Sequence, residues 1–303
     1  MAPFFVFNDF ESYLVSEKRF SEHTVTAYLK DLEQFTSFAL IDSMASIKEV
    51  NHQLVRGWIV HLIDHKTTNR SVNRKLSTLR TFFKWLVKNG MIESDPMLKV
   101  KGPKSEKKLP SFAKESEMNS SIAKDFFSDD FDGIRDLLMV EMFYQTGIRL
   151  SELINLKDGD VTRSSIKVLG KRNKERIIPI SDSFSRNIES FRSHKMKLFP
   201  NESHFFVSNK GNKLYPKFVY RKINSYLGSV TNLDIKSPHV LRHTFATHML
   251  NNGAGLEVLK DILGHASLSA TQVYTHNSFA QLNNIYSQAH PRGHKNKEDG
   301  YQD

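Results

Sequence analysis

The sequence predicts a mainly helical protein with a small β component, built as two domains. Three observations carry that expectation. At 303 residues the chain is long for one core and comfortable for two. Residues 99–117, KVKGPKSEKKLPSFAKESE, are polar, highly charged and punctuated by Pro103 and Pro110, which reads as an extended linker. On either side apolar residues recur at helical spacing, interrupted in the second half by one pair of β-rich runs. The expected boundaries are a helical domain over 1–103, a linker over 104–117, a mixed domain over 118–290 and a tail over 291–303. That tail, PRGHKNKEDGYQD, lacks apolar content and is expected to be disordered.

The first half reads as helix throughout. In SEHTVTAYLKDLEQFTSFAL the residues Val25, Tyr28, Leu29, Leu32, Phe35 and Phe38 share one face, with Ser21 or Thr24 as N-cap. A second helix is expected in NHQLVRGWIVHLIDH. The third, NRSVNRKLSTLRTFFKWLVKNG, carries an apolar stripe of Val72, Leu76, Leu79, Phe83 and Leu86. A parallel stripe of Arg70, Arg74, Ser77, Thr81, Lys84 and Lys88 is entirely polar. Its plain meaning is a solvated outer face; its functional meaning is a row of donors pitched for a DNA groove, with Arg70, Arg74 and Lys84 as candidate contacts. Asn89-Gly90 ends that helix.

In the second half a helix is expected from about Gly133 to Gln145, broken by Thr146-Gly147, with a short helix following in IRLSELINL. The runs Ile166–Leu169 and Arg176–Ile180, joined by the basic turn Gly170–Lys174, signal a hairpin with a charged tip. Further helices follow, one opened by Ser237-Pro238.

Net charge is +10, and both halves are net basic, which favours a polyanionic partner. The N-terminus MAPFFVFNDFESYL lacks a basic segment ahead of its apolar stretch, so no signal peptide is expected, and no run approaches the length of a membrane span. With no cysteine, disulfides and thiolate metal sites are excluded, and a cytoplasmic protein is expected.

The chemistry concentrates in SPHVLRHTFATHML and LGHASLSATQVYTH. Ser237 and Pro238 place His239 and Arg242 near the start of a helix, where free N–H groups favour phosphate, and Arg242 adds a fork matched to two phosphate oxygens. His265 follows a glycine stop, and Tyr274 lies nine residues on. Singly these are weak signals: His-x-x-Arg is often a capping pair, and a tyrosine usually packs. Together they are a constellation. His243 and His248 are five apart with no intervening glutamate, so a helical metal pair is not expected. Asp129-Asp130 reads as a solvated acidic pair. Phosphate-loop, dinucleotide and Gly-x-Ser-x-Gly motifs are missing. What remains is phosphoryl transfer needing no metal or other cofactor, with a tyrosine hydroxyl as nucleophile.

Those motifs resemble the tyrosine recombinase (phage integrase) family, and within it the Xer-type recombinases of chromosome dimer resolution. TGIRLSELINL, VLGKRNKERIIPI, HVLRHTFATHML and LGHASLSATQVYTH follow in the family's order. HTVTAYLKDLEQF, SVNRKLSTLRTFFKWLVKNGMIESDP and PKSEKKLP match upstream. The likeness runs from about residue 8 to AHPRG at 289–293. The resemblance implies a SAM-like, core-DNA-binding N-terminal domain and a mixed α/β catalytic domain, closing as a C-shaped clamp.

It also implies the catalytic set Arg149, Lys171, His239, Arg242, His265 and Tyr274, complete here. Arg149 and Arg242 would hold the phosphate as charge develops. Tyr274, about one part in a thousand ionised at pH 7, would attack to form a 3′-phosphotyrosine, with His239 taking its proton. His265 would hold a phosphate oxygen or position its neighbours. Lys171 would protonate the leaving 5′ oxygen. Arg172 and Lys174 at the same tip are alternatives for that role and candidate DNA contacts. Implied partners are duplex DNA with an inverted-repeat site and a homo- or hetero-tetramer, leaving open a second Xer-type recombinase and a DNA translocase. NSFAQLNNIYSQAH, with Phe279, Leu282 and Ile285, would dock on a neighbouring protomer, folding back on its own domain being the plain alternative. An integrase or invertase of a mobile or phase-variable element shares the same residues, and the short lead before residue 8 favours the Xer type. A non-cutting DNA-binding regulator is the reading from another class, and the complete set argues against it.

Overall fold

The computed structural model of the chain describes residues 4–105, 111–118, 126–170, 175–264 and 276–293. Its contacts fall into two units, Met1–Lys108 and Leu109–Asp303. Among the described residues no helix is long and apolar enough to cross a membrane.

The first unit comprises α1 (Phe4–Ser16), α2 (Glu22–Phe38), α3 (Met44–Lys48), α4 (His52–Asp64) and α5 (Asn69–Lys88). Asn51 starts α4 by accepting the N–H groups of Gln53 and Leu54, and the Thr68 hydroxyl starts α5 by accepting that of Ser71. Ser21 stands at the N-cap of α2, but its hydroxyl meets Thr24 Oγ1 rather than a backbone N–H. The expected α5 stripe is buried, and Phe82 and Trp85 widen it. Phe10 meets Phe82, and Phe35 meets Trp58, edge-on with ring centres 5.1 Å apart in each pair.

The polar stripe of α5 divides. Arg70, Ser77, Lys84 and Lys88 are exposed, and Lys84 lines a shallow groove with Tyr13, Lys18, Arg80 and Lys88. Arg74 instead sends its fork to Asp31, at 2.5 and 2.8 Å. Asp31 is 1% exposed and also accepts Lys75 Nζ and Thr78 Oγ1, each at 2.9 Å. The first residues of the expected linker are not free either. Carbonyls of Lys99, Pro103 and Lys104 accept hydrogen bonds from Arg56, Asn73 and Asn69. A Cβ at Gly102 would stand 1.9 Å from Asn73 Oδ1, so a larger residue there would have to displace the Asn73 side chain.

The second unit is arranged around α6 (Phe131–Thr146), which is buried over most of its circumference and packs against α8 (Asp182–Leu198) and α10 (Pro238–Asn251). It ends at Gly147 with φ +59°, where a Cβ would stand 2.6 Å from Phe245 and 2.7 Å from Leu263. The short α7 (Leu150–Asn155) follows, as expected. The hairpin pairs β1 (Ser165–Leu169) with β2 (Glu175–Pro179) antiparallel, Ile166 opposite Ile178 and Val168 opposite Arg176. Its tip, 171–174, lies outside the described residues. Next come α9 (Pro216–Val230), α10, α11 (Leu256–Leu263) and α12 (His276–Ala289).

Two segments expected to leave this unit are built into it. Ala113, from the expected linker, is buried: its N–H bonds Thr244 Oγ1 and its carbonyl accepts from His248 Nε2, while Tyr144 OH donates to His248 Nδ1. In the single chain the C-terminal segment lies against its own unit, the alternative to docking on a neighbouring protomer. From residue 282 on, its buried residues are Leu282, Tyr286, Ala289 and His290, with Ile285 only half-buried. His290 donates to the Tyr144 carbonyl, and burial pushes its pKa down to about 3, so the ring stays neutral. Arg292, from the expected disordered tail, bonds the Met118 carbonyl and Glu141.

Asp31→Ala is expected to destabilise the first unit by about 3–5 kcal/mol in urea unfolding, because it removes the counter-charge of the buried Lys75 ammonium and leaves it the neutral Gln34 amide oxygen. A loss under about 1 kcal/mol contradicts this role.

Candidate active site

Three arginines from three elements meet at one helix end. Arg149 sits at the N-cap of α7, aimed by the left-handed Gly147 two residues before it. Arg242 lies in the second turn of α10, and Arg176 stands on β2. The carbonyls of Ile262, Leu263 and Gly264 close α11 and accept no helical N–H among the described residues. Arg176 Nε bonds Ile262 O at 2.7 Å, Arg242 Nη2 bonds Leu263 O at 2.7 Å, and Arg149 Nη2 bonds Gly264 O at 2.9 Å. Arg242 also bonds the Gly147 carbonyl. A helix C-terminus carries about half a negative charge, so cations are favoured there.

Glu152 supplies the full anion. Its Oε1 accepts Arg149 Nη1 at 2.7 Å and Arg176 Nη1 at 2.8 Å, and its Oε2 accepts Arg149 N and Arg176 Nη2, both at 2.8 Å. Burial alone would raise the Glu152 pKa, but the bonds to Arg176 and Arg149 outweigh it and hold the carboxyl at about 2. Three guanidiniums against one carboxylate and a helix end leave a surplus of about +1.5, a setting for a phosphodiester. Arg242, 9% exposed, is pushed down to about 9 by burial and then by Arg149 and Arg176, and remains protonated at neutral pH.

His239 is exposed in the first turn of α10. Its pKa is lowered by partial burial of the ring, then by His243, Arg242 and Arg149. A neutral imidazole is the form that can accept a proton.

Of the residues predicted from sequence, the structure brings Arg149, Arg242 and His239 into one charge neighbourhood. Lys171, Arg172, Lys174, His265 and Tyr274 lie outside the described residues. Glu152 and Arg176 were not predicted. Glu152 could have been found three residues after Arg149, the spacing of a capping partner. Arg176 could have been found as a charge at an inward strand position, two before the buried Ile178.

The chain matches the phage integrase family over residues 114–281, and the N-terminal SAM-like domain of phage integrases over residues 7–90. The chain belongs to the phage integrase family. Tyrosine recombinase XerC of Staphylococcus saprophyticus is 38% identical over 282 residues, covering 92% of this chain and 95% of that protein. Tyrosine recombinase XerC of Thermodesulfovibrio yellowstonii is 36% identical, covering 95% and 96%. The fold is shared with a solved XerH site-specific recombinase bound to palindromic difH substrate, at TM-score 0.69, 20% identity and coverage of 87% and 79%. It is also shared with a lambda integrase (75–356) dimer bound to a COC′ core site, at 0.68, 17%, 90% and 100%. This family member is a Xer-type site-specific tyrosine recombinase, an enzyme that cuts and rejoins DNA.

Glu152→Gln is expected to lower stability at pH 7 by about 3 kcal/mol, at 1.36 kcal/mol per pKa unit. Because the carboxyl is depressed in the folded protein, its contribution is complete above the unfolded value near 4.5 and fades as pH falls toward 2. The gap between wild type and variant in urea unfolding should therefore narrow across that window. A gap that stays constant contradicts the assignment.

Proposed function

We propose that this recombinase resolves chromosome dimers in the cytoplasm, binding duplex DNA at an inverted-repeat site as a tetramer. Tyr274 attacks the scissile phosphate, His239 takes the tyrosine proton, and the 3′-phosphate becomes linked to the phenolic oxygen. Arg149 and Arg242 hold the non-bridging oxygens, and His265 assists them. Lys171 delivers a proton to the departing 5′ oxygen. A second strand's 5′ hydroxyl then attacks the phosphotyrosine and regenerates the tyrosine. The bond energy is kept in the ester, so no ATP is needed.

The observation that carries this reading is the convergence of Arg149 and Arg242 on the carbonyls of Gly264 and Leu263, directly before His265. Arg70 and Lys84 on α5 are proposed to contact the DNA backbone, and Arg172 and Lys174 to do so beside Lys171. Arg74 contributes less, since its fork is engaged by Asp31.

Incubating the protein with nicked fragments of host DNA, denaturing, and sequencing what stays attached tests the reading. Covalent adducts at one chromosomal locus, lost in Tyr274→Phe, are expected. Arg242→Gln should cut their rate of formation by about 10²–10³-fold. Adducts at element ends or at invertible segments would replace dimer resolution with integration or inversion. No adduct on DNA that is demonstrably bound would overturn the cutting role.

A further inference from the structure

Arg176 lies outside the set that the resemblance implies, yet it is 4% exposed and all three of its guanidinium nitrogens are used. A buried arginine on a strand, opposite Val168 and two residues from Ile178, needs an account, since an apolar residue would pack there without desolvation. Its partners supply one. Nη1 and Nη2 grip both oxygens of Glu152 in a fork-to-fork pair, while Nε reaches Ile262 O. Glu152 also bonds Arg149, whose backbone N–H reaches Oε2 and whose guanidinium reaches Oε1 through Nη1.

The competition between these two arginines matters. A carboxylate left to one guanidinium takes it bidentately. Were Glu152 free of Arg176, it would draw a second edge of Arg149 toward α7 and away from any bound phosphate. With Arg176 holding both oxygens, Arg149 gives Glu152 one side-chain N–H and Gly264 O another, and its other side-chain donors bond nothing among the described residues. The stem of Arg176 also fills the space over Gly264, where a Cβ would come within 3.1 Å of its Cδ. Gly264 has φ +64° and carries the carbonyl that takes Arg149.

We propose that Arg176 is a positioning residue: by saturating Glu152 and bracing the end of α11, it keeps the fork of Arg149 turned toward the scissile phosphate. The proposal rests on the recombinase chemistry above and adds to it a residue that does not touch DNA. Misplacing a catalytic group by about 1 Å is worth about 10²-fold in rate, which sets the expected size.

The test compares Arg176→Met with wild type on two nicked duplexes of the chromosomal sequence recovered by adduct sequencing. One has the natural phosphodiester, and the other a neutral methylphosphonate at the scissile position. Arg176→Met is expected to bind both duplexes within about threefold of wild type. It should form the phosphodiester adduct about 10²-fold more slowly, yet lag on the methylphosphonate by less than about tenfold, since that centre carries one negative charge less for Arg149 to meet. Equal slowing on both duplexes would mean general damage to the fold and would overturn the proposal, as would no slowing on either. If Arg176→Met does not fold, Arg176→Lys, which keeps charge without the fork, is put to the same comparison with the same expected pattern. Wild-type protein that forms no adduct on either duplex would instead remove the recombinase chemistry on which the proposal rests.

Discussion

The second unit depends on a pairing of like charges made tolerable by one carboxylate and one helix end. Three guanidiniums close together repel, and Arg149 and Arg176 each press the Arg242 pKa down. Glu152 accepts four hydrogen bonds from Arg149 and Arg176, and three successive carbonyls of α11 each accept one from a different arginine. The same bonds tie α7, β2, α10 and α11 together, so the positive cluster is also the joint between elements. It stays net positive, which is what an anionic transition state requires.

Backbone geometry makes that joint possible. Gly147 ends α6 and Gly264 ends α11, both in the left-handed region, and each lies where a side chain would strike a neighbour. Gly147 would meet Phe245 and Leu263, and Gly264 would meet Arg176. Their bareness lets α6, α10 and α11 approach closely enough for arginine forks to reach main-chain carbonyls. Behind this, the C-terminal segment packs Tyr286 and His290 into the core, and Arg292 joins that end to Met118 and Glu141 near the start of the unit.

Much of this was legible in the sequence, because it is local. The α5 stripe, the break at Thr146-Gly147, the hairpin runs and the Ser237-Pro238 helix start are written in neighbouring residues, as are Arg149, His239 and Arg242 in their motifs. What was missed depends on partners far along the chain. Glu152 and Arg176 are 24 residues apart, and Arg176 and Ile262 are 86 apart. Asp31, which redirects Arg74, lies 43 residues away. The C-terminal helix shows the same limit: Ile285 is only half-buried, and the surface the helix meets takes Tyr286 and Ala289 with Leu282, an i, i+4, i+7 stripe.

The most direct test is a structure of the Tyr274→Phe protein on its DNA site. The account predicts non-bridging oxygens of one phosphate within about 2.7–3.2 Å of both Arg149 and Arg242, while their bonds to Gly264 O and Leu263 O persist. A scissile phosphate held elsewhere, or arginines that abandon those carbonyls to reach it, would contradict a preassembled phosphate site built on the end of α11.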